Sequence, residues 1–277
     1  MKVLISTDIE GIAGVFHAEQ TRPGNAEYER ARRWMTEEAN AAIAGAFAGG
    51  ATQVWVNDSH GSFRNLLVDL LDERARVVLG KPRTLGMMAG LENTPALVFM
   101  IGYHARSKTE GILAHTINSF AFARVKVDGA EVGEAELYGA LAAERGARVA
   151  LLSGDDVFVE QARAAFPEAA FVTTKSASGH SSGTTDSLAN VRAAISAAAR
   201  EAVAQGRRAA SRAIPVRAAG VPIACELQVQ SPALADLFAQ WPTIERAGAE
   251  TLRFPAPTSE HVVRTLNCLS AMSFMLR

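Results

Sequence analysis

The sequence predicts an α/β protein, with a mostly parallel sheet flanked by helices and a smaller α+β part at its C-terminal end. Apolar runs of strand length alternate with Ala-rich helical segments as far as residue 206. The run Leu97–Gly102 is apolar throughout, which is typical of a central strand covered by helices on both faces. Beyond residue 206 the alternation gives way to shorter elements. These observations favour a Rossmann-like topology over residues 1–206 and a second, smaller domain over residues 207–277.

The elements of the first part follow from local sequence. Strand residues 2–7 lead through a polar loop to an amphipathic helix over residues 28–47, which ends at Gly49 and Gly50. Residues 52–57 are β-branched and aromatic, so they predict the second strand. The same reasoning predicts strands over 75–79, 97–102, 149–152 and 170–174, and helices over 131–145, 153–166 and 185–205.

Extended and short elements make up the rest. Residues 117–127 favour a ribbon that turns at Asp128 and Gly129. The C-terminal part is predicted to contain strands over 214–218, 222–229 and 251–254, and helices that start at Pro232 and Ser259. The last helix carries an apolar stretch over residues 266–276, which predicts a core helix, with a subunit interface as the alternative.

The composition is that of a globular protein with a small-molecule partner. Of 277 residues, 48% are hydrophobic and 21% charged, which is enough to bury a core. Lys and Arg number 28 against 29 Asp and Glu, so no net field attracts nucleic acid or a membrane. Acidic residues follow the first strand too early for a signal sequence, and no apolar stretch reaches the roughly 20 residues of a membrane helix. We expect a cytoplasmic protein whose Cys225 and Cys268 are buried free thiols.

Potential metal ligands follow three of the predicted strands. Asp8 and Glu10 come after the first strand, His60 after the second and His104 after the central one. Because parallel strands end at the same edge of a sheet, these side chains are expected to converge there. Asp8 and Glu10 are two residues apart in an extended segment, and two carboxylates held that close repel each other unless a cation lies between them. Such a mixed set suits zinc or another divalent first-row ion.

Other candidates remain open at this point. Glu131, Glu134 and Glu136 lie near the start of the helix over 131–145, and spacing does not choose among them for a further ligand. His115 follows a turn at Gly111 and is a candidate catalytic residue that does not bind metal, with a packed histidine as the alternative. The other three histidines have no comparable partners and are interpreted as surface or structural residues: His17, His180 and His261.

Five motifs, in order along the chain, carry a resemblance to a known family. They are Ser6-Thr-Asp-Ile-Glu-Gly-Ile-Ala-Gly-Val15, Asn57-Asp-Ser-His-Gly61, Gly102-Tyr-His-Ala105, His115-Thr116, and the run from Asp128-Gly129 to Val132-Gly-Glu134. This pattern resembles the zinc-dependent D-aminopeptidase family, self-compartmentalising bacterial metallopeptidases often encoded with dipeptide-transport genes. The resemblance extends over essentially the whole chain, through Gly154-Asp-Asp156 and Thr173-Thr-Lys175 to the C-terminal helix.

The resemblance implies a specific site and assembly. It implies a binuclear centre with two Zn²⁺ per subunit, bound by Asp8, Glu10, His60, His104 and Glu134. It also implies that His115 is the catalytic residue, as nucleophile or as proton shuttle. The expected substrates are short peptides with an N-terminal D-amino acid, particularly D-alanine, and the expected assembly is a homodecamer of two pentameric rings.

Two alternative functions are weighed against this hypothesis. Another dinuclear-metal amidohydrolase or a phosphoesterase could use the same ligand types, but the loops around Asp8, His60 and His104 lack a Gly-rich phosphate cradle. A non-catalytic peptide- or metal-binding protein is the second alternative. A binding site alone has no use for an additional titratable group such as His115.

Overall fold

The computed structural model describes residues 1–206 and 221–277, which form two β-sheets with helices packed against them. The strands are β1 Lys2–Thr7, β2 Gln53–Asp58, β3 Arg76–Val78, β4 Leu97–Tyr103, β5 Phe122–Val127, β6 Ala130–Glu131, β7 Arg148–Asp155, β8 Ala170–Gly179, β9 Ser182–Thr185, β10 Ile223–Val229, β11 Glu245–Arg246 and β12 Thr251–Ala256. The helices are α1 Ala26–Ala48, α2 Glu134–Glu144, α3 Asp156–Ala165, α4 Leu188–Gly206, α5 Pro232–Phe238 and α6 Ser259–Met272.

The first sheet has the order β3-β2-β1-β4-β7-β8-β9. Every pairing from β3 to β8 is parallel, and only β9 runs antiparallel to its neighbour. The chain moves outward from β1 to β3 and then returns to place β4 on the other side of β1. The order therefore reverses between β1 and β4, which makes that position the switch point of a doubly wound sheet. The predicted Rossmann-like α/β architecture is confirmed.

Both faces of this sheet are covered by apolar layers. Side chains alternate along each strand, so Val3 and Ile5 of β1 pack with α1 and α4, whereas Leu4 points into the layer formed with α2 and α3. In β4, Phe99 likewise packs with α1 and α4, and Met100 points into the layer formed with α2 and α3. This two-sided burial explains why the central strands read as continuous apolar runs.

The second sheet has the order β11-β12-β10-β5-β6 and is antiparallel. Two of its strands, β5 and β6, come from the segment between β4 and α2, and the others follow residue 220. Its core residues belong to the same apolar layer as α2, α3 and α6. Residue 207 and the predicted strand over 214–218 lie outside the described residues, so the division of the chain at 206/207 remains a prediction.

Several local predictions need correction. The predicted helix over 185–205 begins only at Leu188, and the exposed strand β9 precedes it. Strands β6 and β11 have two residues each, which is too short for a period-2 pattern to be recognised. Cys225 is buried as predicted, but the prediction for Cys268 is wrong, because Cys268 lies on the exposed face of α6.

The C-terminal apolar stretch divides into an inner and an outer part. Leu266 and Leu269 of α6 are fully buried, as expected for a core helix. Phe274 and Met275, in the turn after α6, are 57% and 75% exposed. Among the described helices, none is both long and apolar enough to cross a lipid bilayer.

Gly11 allows the loop after β1 to lie directly against the end of β4. Its amide donates to the carbonyl of Gly102 at 2.8 Å, and a Cβ at position 11 would lie 1.9 Å from the carbonyl oxygen of Tyr103. We expect Gly11→Ala to lower the free energy of unfolding by about 1–3 kcal/mol or more, because a backbone atom has to move. Urea denaturation measures this change.

Gly248→Ala is the matched control, because the nearest atom to a Cβ there is Cβ of Thr251 at 3.5 Å, an ordinary contact. A Gly11→Ala variant as stable as Gly248→Ala would show that the two loops are not fixed against each other as described.

Candidate metal centre

Acidic and imidazole side chains converge at the switch point of the first sheet. Asp8 follows β1, His60 follows β2 and His104 follows β4, so the carboxyl ends of three parallel strands bring them together. Glu10 lies two residues beyond Asp8, and Glu134 is the first residue of α2. The four side chains other than His60 are no more than 5% exposed.

One half of the cluster surrounds Nδ1 of His60. This atom lies 3.2 Å from Oδ1 of Asp8 and 3.0 Å from Oε2 of Glu10. The amide of Ile9 also donates to Oδ1 of Asp8 at 2.9 Å, which fixes the carboxylate against its own backbone. Two carboxylate oxygens and one imidazole nitrogen therefore face one small volume.

The other half surrounds Nε2 of His104. This atom lies 3.4 Å from Oδ2 of Asp8 and 3.4 Å from Oε1 of Glu134. The amide of Ile117 donates to Oε1 of Glu134 at 2.6 Å, and the position of Glu134 at the N-terminus of α2 favours its negative charge. The two oxygens of Asp8 thus face different histidines, and Asp8 belongs to both halves of the cluster.

His115 lies beside the second half. Its ring stacks on that of His104, with centroids 4.1 Å apart and planes inclined by 12°. Its Nε2 is 3.8 Å from Oε1 of Glu134, and the side chain is 20% exposed. His115 is therefore the member of this half that solvent reaches.

Each of the three imidazoles uses its second nitrogen to donate to a main-chain carbonyl. His60 Nε2 donates to Thr21 at 2.9 Å, His104 Nδ1 to Ala105 at 3.0 Å and His115 Nδ1 to Leu113 at 2.9 Å. These bonds set the tautomer and the ring orientation, as they do for histidines that bind metal ions. The other nitrogen of each ring faces the carboxylates.

The pKa values of the first half show how strongly these groups interact. Burial, and then the charge of Glu10, raise the pKa of Asp8 above its ordinary value. Burial acts against ionisation of Glu10 as well, but the charge of nearby His60 holds the pKa of Glu10 well below its usual range. The same carboxylates raise the pKa of His60 well above its usual value, against the opposing effect of burial.

The second half behaves in the same way. Burial acts to lower the pKa of His104, but Glu134 and Asp8 raise it well above its usual value. Burial acts to raise the pKa of Glu134, but His104 and His115 lower it. The imidazolium protons thus supply positive charge between the carboxylates. A divalent cation in the same place would supply it without protonating the ligands.

The donor set fits a metal ion. Oε2 of Glu10 and Nε2 of His104 are buried without a hydrogen-bond partner among the described residues. Two sets of three ligand atoms lie within 4.8 Å of one another, one from Asp8, Glu10 and His104 and one from His104, His115 and Glu134. Imidazole nitrogen and carboxylate oxygen are ligands that zinc accepts.

The three glutamates near the start of α2 have different partners in the structure. Glu131 pairs with Arg124 at 2.6 Å within the second sheet, and Glu136 accepts the amide of Gly133 at 2.9 Å at the start of α2. Glu134 is the one of the three that reaches His104. Of the other histidines, His17 caps a short helix and His261 bonds to Thr258, whereas the carbonyl of His180 accepts the amide of Leu113 at 2.9 Å, two residues before His115.

Asp58 has a role that the sequence reasoning did not assign. Its carboxylate accepts the amides of Asn65 and Leu66 at 2.5 and 2.7 Å, and the side-chain amide of Asn65 at 2.7 Å. These bonds close the loop that begins with His60. An aspartate at a strand end followed by Ser-His-Gly is a recognisable turn signal, and it is the feature that could have identified this role.

The fold and the cluster define a class of protein: an α/β protein with buried carboxylates and imidazoles at its switch point, the arrangement that hydrolytic metal centres use. Comparison with known proteins identifies the family within that class. The sequence profile of the D-aminopeptidase family matches residues 1–268, and the chain belongs to this family. The resemblance found in the motifs is confirmed.

Matches in Bacillus subtilis, one by sequence and one by structure, illustrate the similarity. A D-aminopeptidase of strain 168 is 35% identical over 175 residues, which cover 63% of this chain and 64% of the relative, slightly less than two thirds of its length. A solved structure, the Zn-dependent D-aminopeptidase DppA, described as a self-compartmentalizing protease, superposes with a TM-score of 0.91. It is 27% identical, and the superposition covers 99% of this chain and 98% of DppA.

Removing the carboxylate of Asp58 tests how the His60 loop is held. We expect Asp58→Ala to lower the free energy of unfolding by at least about 2 kcal/mol, because two buried amides lose their acceptor. Asp69→Ala, in an exposed turn further along the same connection, is the control. Thermal and urea unfolding measure both variants, and equal stability of the two would show that Asp58 does not hold the loop.

Proposed function

We propose that this protein is a zinc-dependent aminopeptidase that hydrolyses the peptide bond after an N-terminal D-amino acid. The expected substrates are dipeptides and short peptides that begin with D-alanine. The observation that carries the proposal is the pair of imidazole nitrogens, on His60 and His104, that face buried carboxylates in a chain of the D-aminopeptidase family.

We assign the metal ligands from the two halves of the cluster. Asp8 Oδ1, Glu10 and His60 would bind one Zn²⁺, and Asp8 Oδ2, His104 and Glu134 would bind the second. The separation of the two oxygens of Asp8 toward different histidines supports this division. It agrees with the use of a shared carboxylate in two-metal hydrolytic centres.

Zinc, when bound, supplies Lewis acidity that polarises the scissile carbonyl and favours ionisation of the attacking water. The protein's own contribution is to hold the ligands before any ion arrives. The main-chain carbonyls fix the three imidazole tautomers, and the amides of Ile9 and Ile117 fix Asp8 and Glu134. Little reorganisation is then needed when the substrate binds.

His115 has the position and hydrogen-bonded orientation that a catalytic group needs. Its Nδ1 donates to Leu113, so Nε2 carries the lone pair in the neutral ring. That nitrogen faces the cluster and lies on its accessible side. It would attack the carbonyl as a nucleophile or carry the proton from the attacking water to the leaving amine.

We propose further that the protein acts as a cytoplasmic homodecamer. DppA is described as self-compartmentalizing, and the whole fold of this chain resembles it. Phe274 and Met275 are exposed at the C-terminal end, and Arg277 lies over the rings of Phe120 and Phe274. Such an apolar patch favours burial against a second copy of the chain.

The alternative hydrolytic function has less support. A phosphoesterase needs positive charge around the transferred group in addition to the metal ions. Among the residues that the structure describes, no Lys or Arg side chain forms an ion pair with Asp8, Glu10 or Glu134. The site is therefore better matched to an amide than to a phosphoester.

The decisive experiment measures release of alanine from D-Ala-D-Ala and from L-Ala-L-Ala. Protein reconstituted with zinc is compared with chelator-treated protein, and the zinc content of each sample is determined. We expect turnover of the D-dipeptide alone, dependent on about two Zn²⁺ per chain. If neither dipeptide is cleaved, a panel of other amides and of phosphoesters is tested: zinc binding without any cleavage would favour the binding-protein alternative, and cleavage of a phosphoester alone would favour the phosphoesterase.

Two histidine variants separate catalysis from metal binding. We expect His115→Ala to retain zinc and to lose at least about 100-fold in kcat/KM, the usual effect of removing an acid–base group. His104→Ala is expected to lose activity and the zinc ion assigned to Asp8 Oδ2, His104 and Glu134, because the two carboxylates are then left without their imidazole. Circular dichroism checks that both variants fold.

The same pair of variants defines what would contradict this assignment. Activity of His115→Ala within a few-fold of the wild type would exclude a central catalytic role. Zinc loss equal to that of His104→Ala would instead make His115 a metal ligand.

A further inference from the structure

Lys175 is buried directly beneath the loop that carries Asp8 and Glu10. It lies on β8 and is only 2% exposed. Its Nζ donates to the main-chain carbonyls of Glu10 at 2.5 Å and Ile12 at 3.1 Å, and also to that of Val15. Three carbonyl acceptors match the three N–H donors of an ammonium group, although burial lowers the pKa of Lys175 to about 7.

Neighbouring side chains complete the support of this loop. Thr174 Oγ1 donates to the carbonyl of Gly11 at 2.6 Å. Oε1 of Glu38, on α1, accepts the amide of Ala13 at 2.9 Å. The backbone from residue 10 to residue 15 thus satisfies several of its polar groups with side chains from β8 and α1.

The position of Glu10 depends on this support more than the position of Asp8 does. Asp8 directly follows β1, and its carboxylate accepts the amide of Ile9. Oε2 of Glu10, by contrast, accepts no main-chain amide among the described residues and has only Nδ1 of His60 beside it, at 3.0 Å. The place of the Glu10 carboxylate near His60 is therefore set by where the backbone of Glu10 is held.

We propose that Lys175 is a positioning residue for the metal centre, which holds the backbone of Glu10 where its carboxylate meets His60. This inference rests on the proposed metal-binding function. It assigns Lys175 to one ion only, the one bound by Asp8 Oδ1, Glu10 and His60. Of the ligands of the other ion, His104 and Glu134 lie on segments to which Lys175 makes no hydrogen bond, and Asp8 directly follows β1 and is fixed by the amide of Ile9.

Zinc titration of Lys175→Met against a chromophoric chelator tests this assignment without reference to activity. Methionine fills a similar volume and removes all three donors. We expect one of the two zinc ions to bind about 10- to 100-fold more weakly, the usual effect of losing a group that orients a ligand, and the other to bind as in the wild type. Leu227→Ala, at a fully buried position of β10 in the second sheet, is the control for general loss of stability.

The outcomes are distinct. Selective weakening of one site in Lys175→Met, with both sites unchanged in Leu227→Ala, supports the proposal. Both affinities within about twofold of the wild type, or equal weakening of both sites, would overturn it. If Lys175→Met does not fold, Lys175→Gln, which keeps two N–H donors, is titrated with the same criteria. Failure of the wild type to bind zinc would overturn the proposed metal-binding function and this inference together, whereas zinc binding without turnover would affect only the proposed activity.

Discussion

Mutual repulsion among the buried carboxylates of Asp8, Glu10 and Glu134 is the constraint on which the rest of this structure depends. Three negative charges cannot be removed from water at one place unless positive charge lies between them. The protein supplies that charge with imidazoles from two further strand ends, and the reversal of strand order between β1 and β4 is what brings all these groups to one edge. With another strand order, Glu134 and the two histidines would lie away from Asp8 and Glu10. Neither the repulsion among the three carboxylates nor the clustered donor set would then arise.

The loops that present these groups are held by ionisable side chains in addition to apolar packing, in which Ile9, Ile12 and Ile112 are fully buried. Lys175 holds the loop after β1, Asp58 the loop after β2, and Asp155 accepts the amide of Ile112 at 2.6 Å in the segment that leads to His115. Each loop contains backbone donors and acceptors that a hydrocarbon core leaves unsatisfied. Ionised side chains make stronger hydrogen bonds than neutral ones, so a single residue can fix several peptide groups. The apolar layers stabilise the sheet, and these buried charges define the geometry at its edge.

The sequence contained most of the fold and of the candidate site, because both depend on patterns that are local. Apolar runs such as Leu97–Gly102 predicted the central strands, and the positions of Asp8, His60 and His104 at strand ends predicted their convergence. The second sheet was harder to foresee, since β5 pairs with β10 about 100 residues later in the chain, and no local pattern records that pairing.

Glu134 could not be separated from Glu131 and Glu136 by spacing, because the choice depends on which carboxylate α2 directs toward His104. Lys175 was part of a recognised motif, but its three acceptors are main-chain carbonyls, which have no signature in a sequence.

The choice of main-chain acceptors for His60, His104 and His115 has a consequence for how this site tolerates change. When a carboxylate side chain orients a metal-binding histidine, a single substitution removes it. Here the acceptors are the carbonyls of Thr21, Ala105 and Leu113, which every amino acid provides. The histidine tautomers therefore do not depend on which side chain occupies those three positions, provided the backbone keeps its course. Ala105 and Leu113 are buried, so packing and loop conformation, and not hydrogen bonding to the imidazoles, limit sequence drift there.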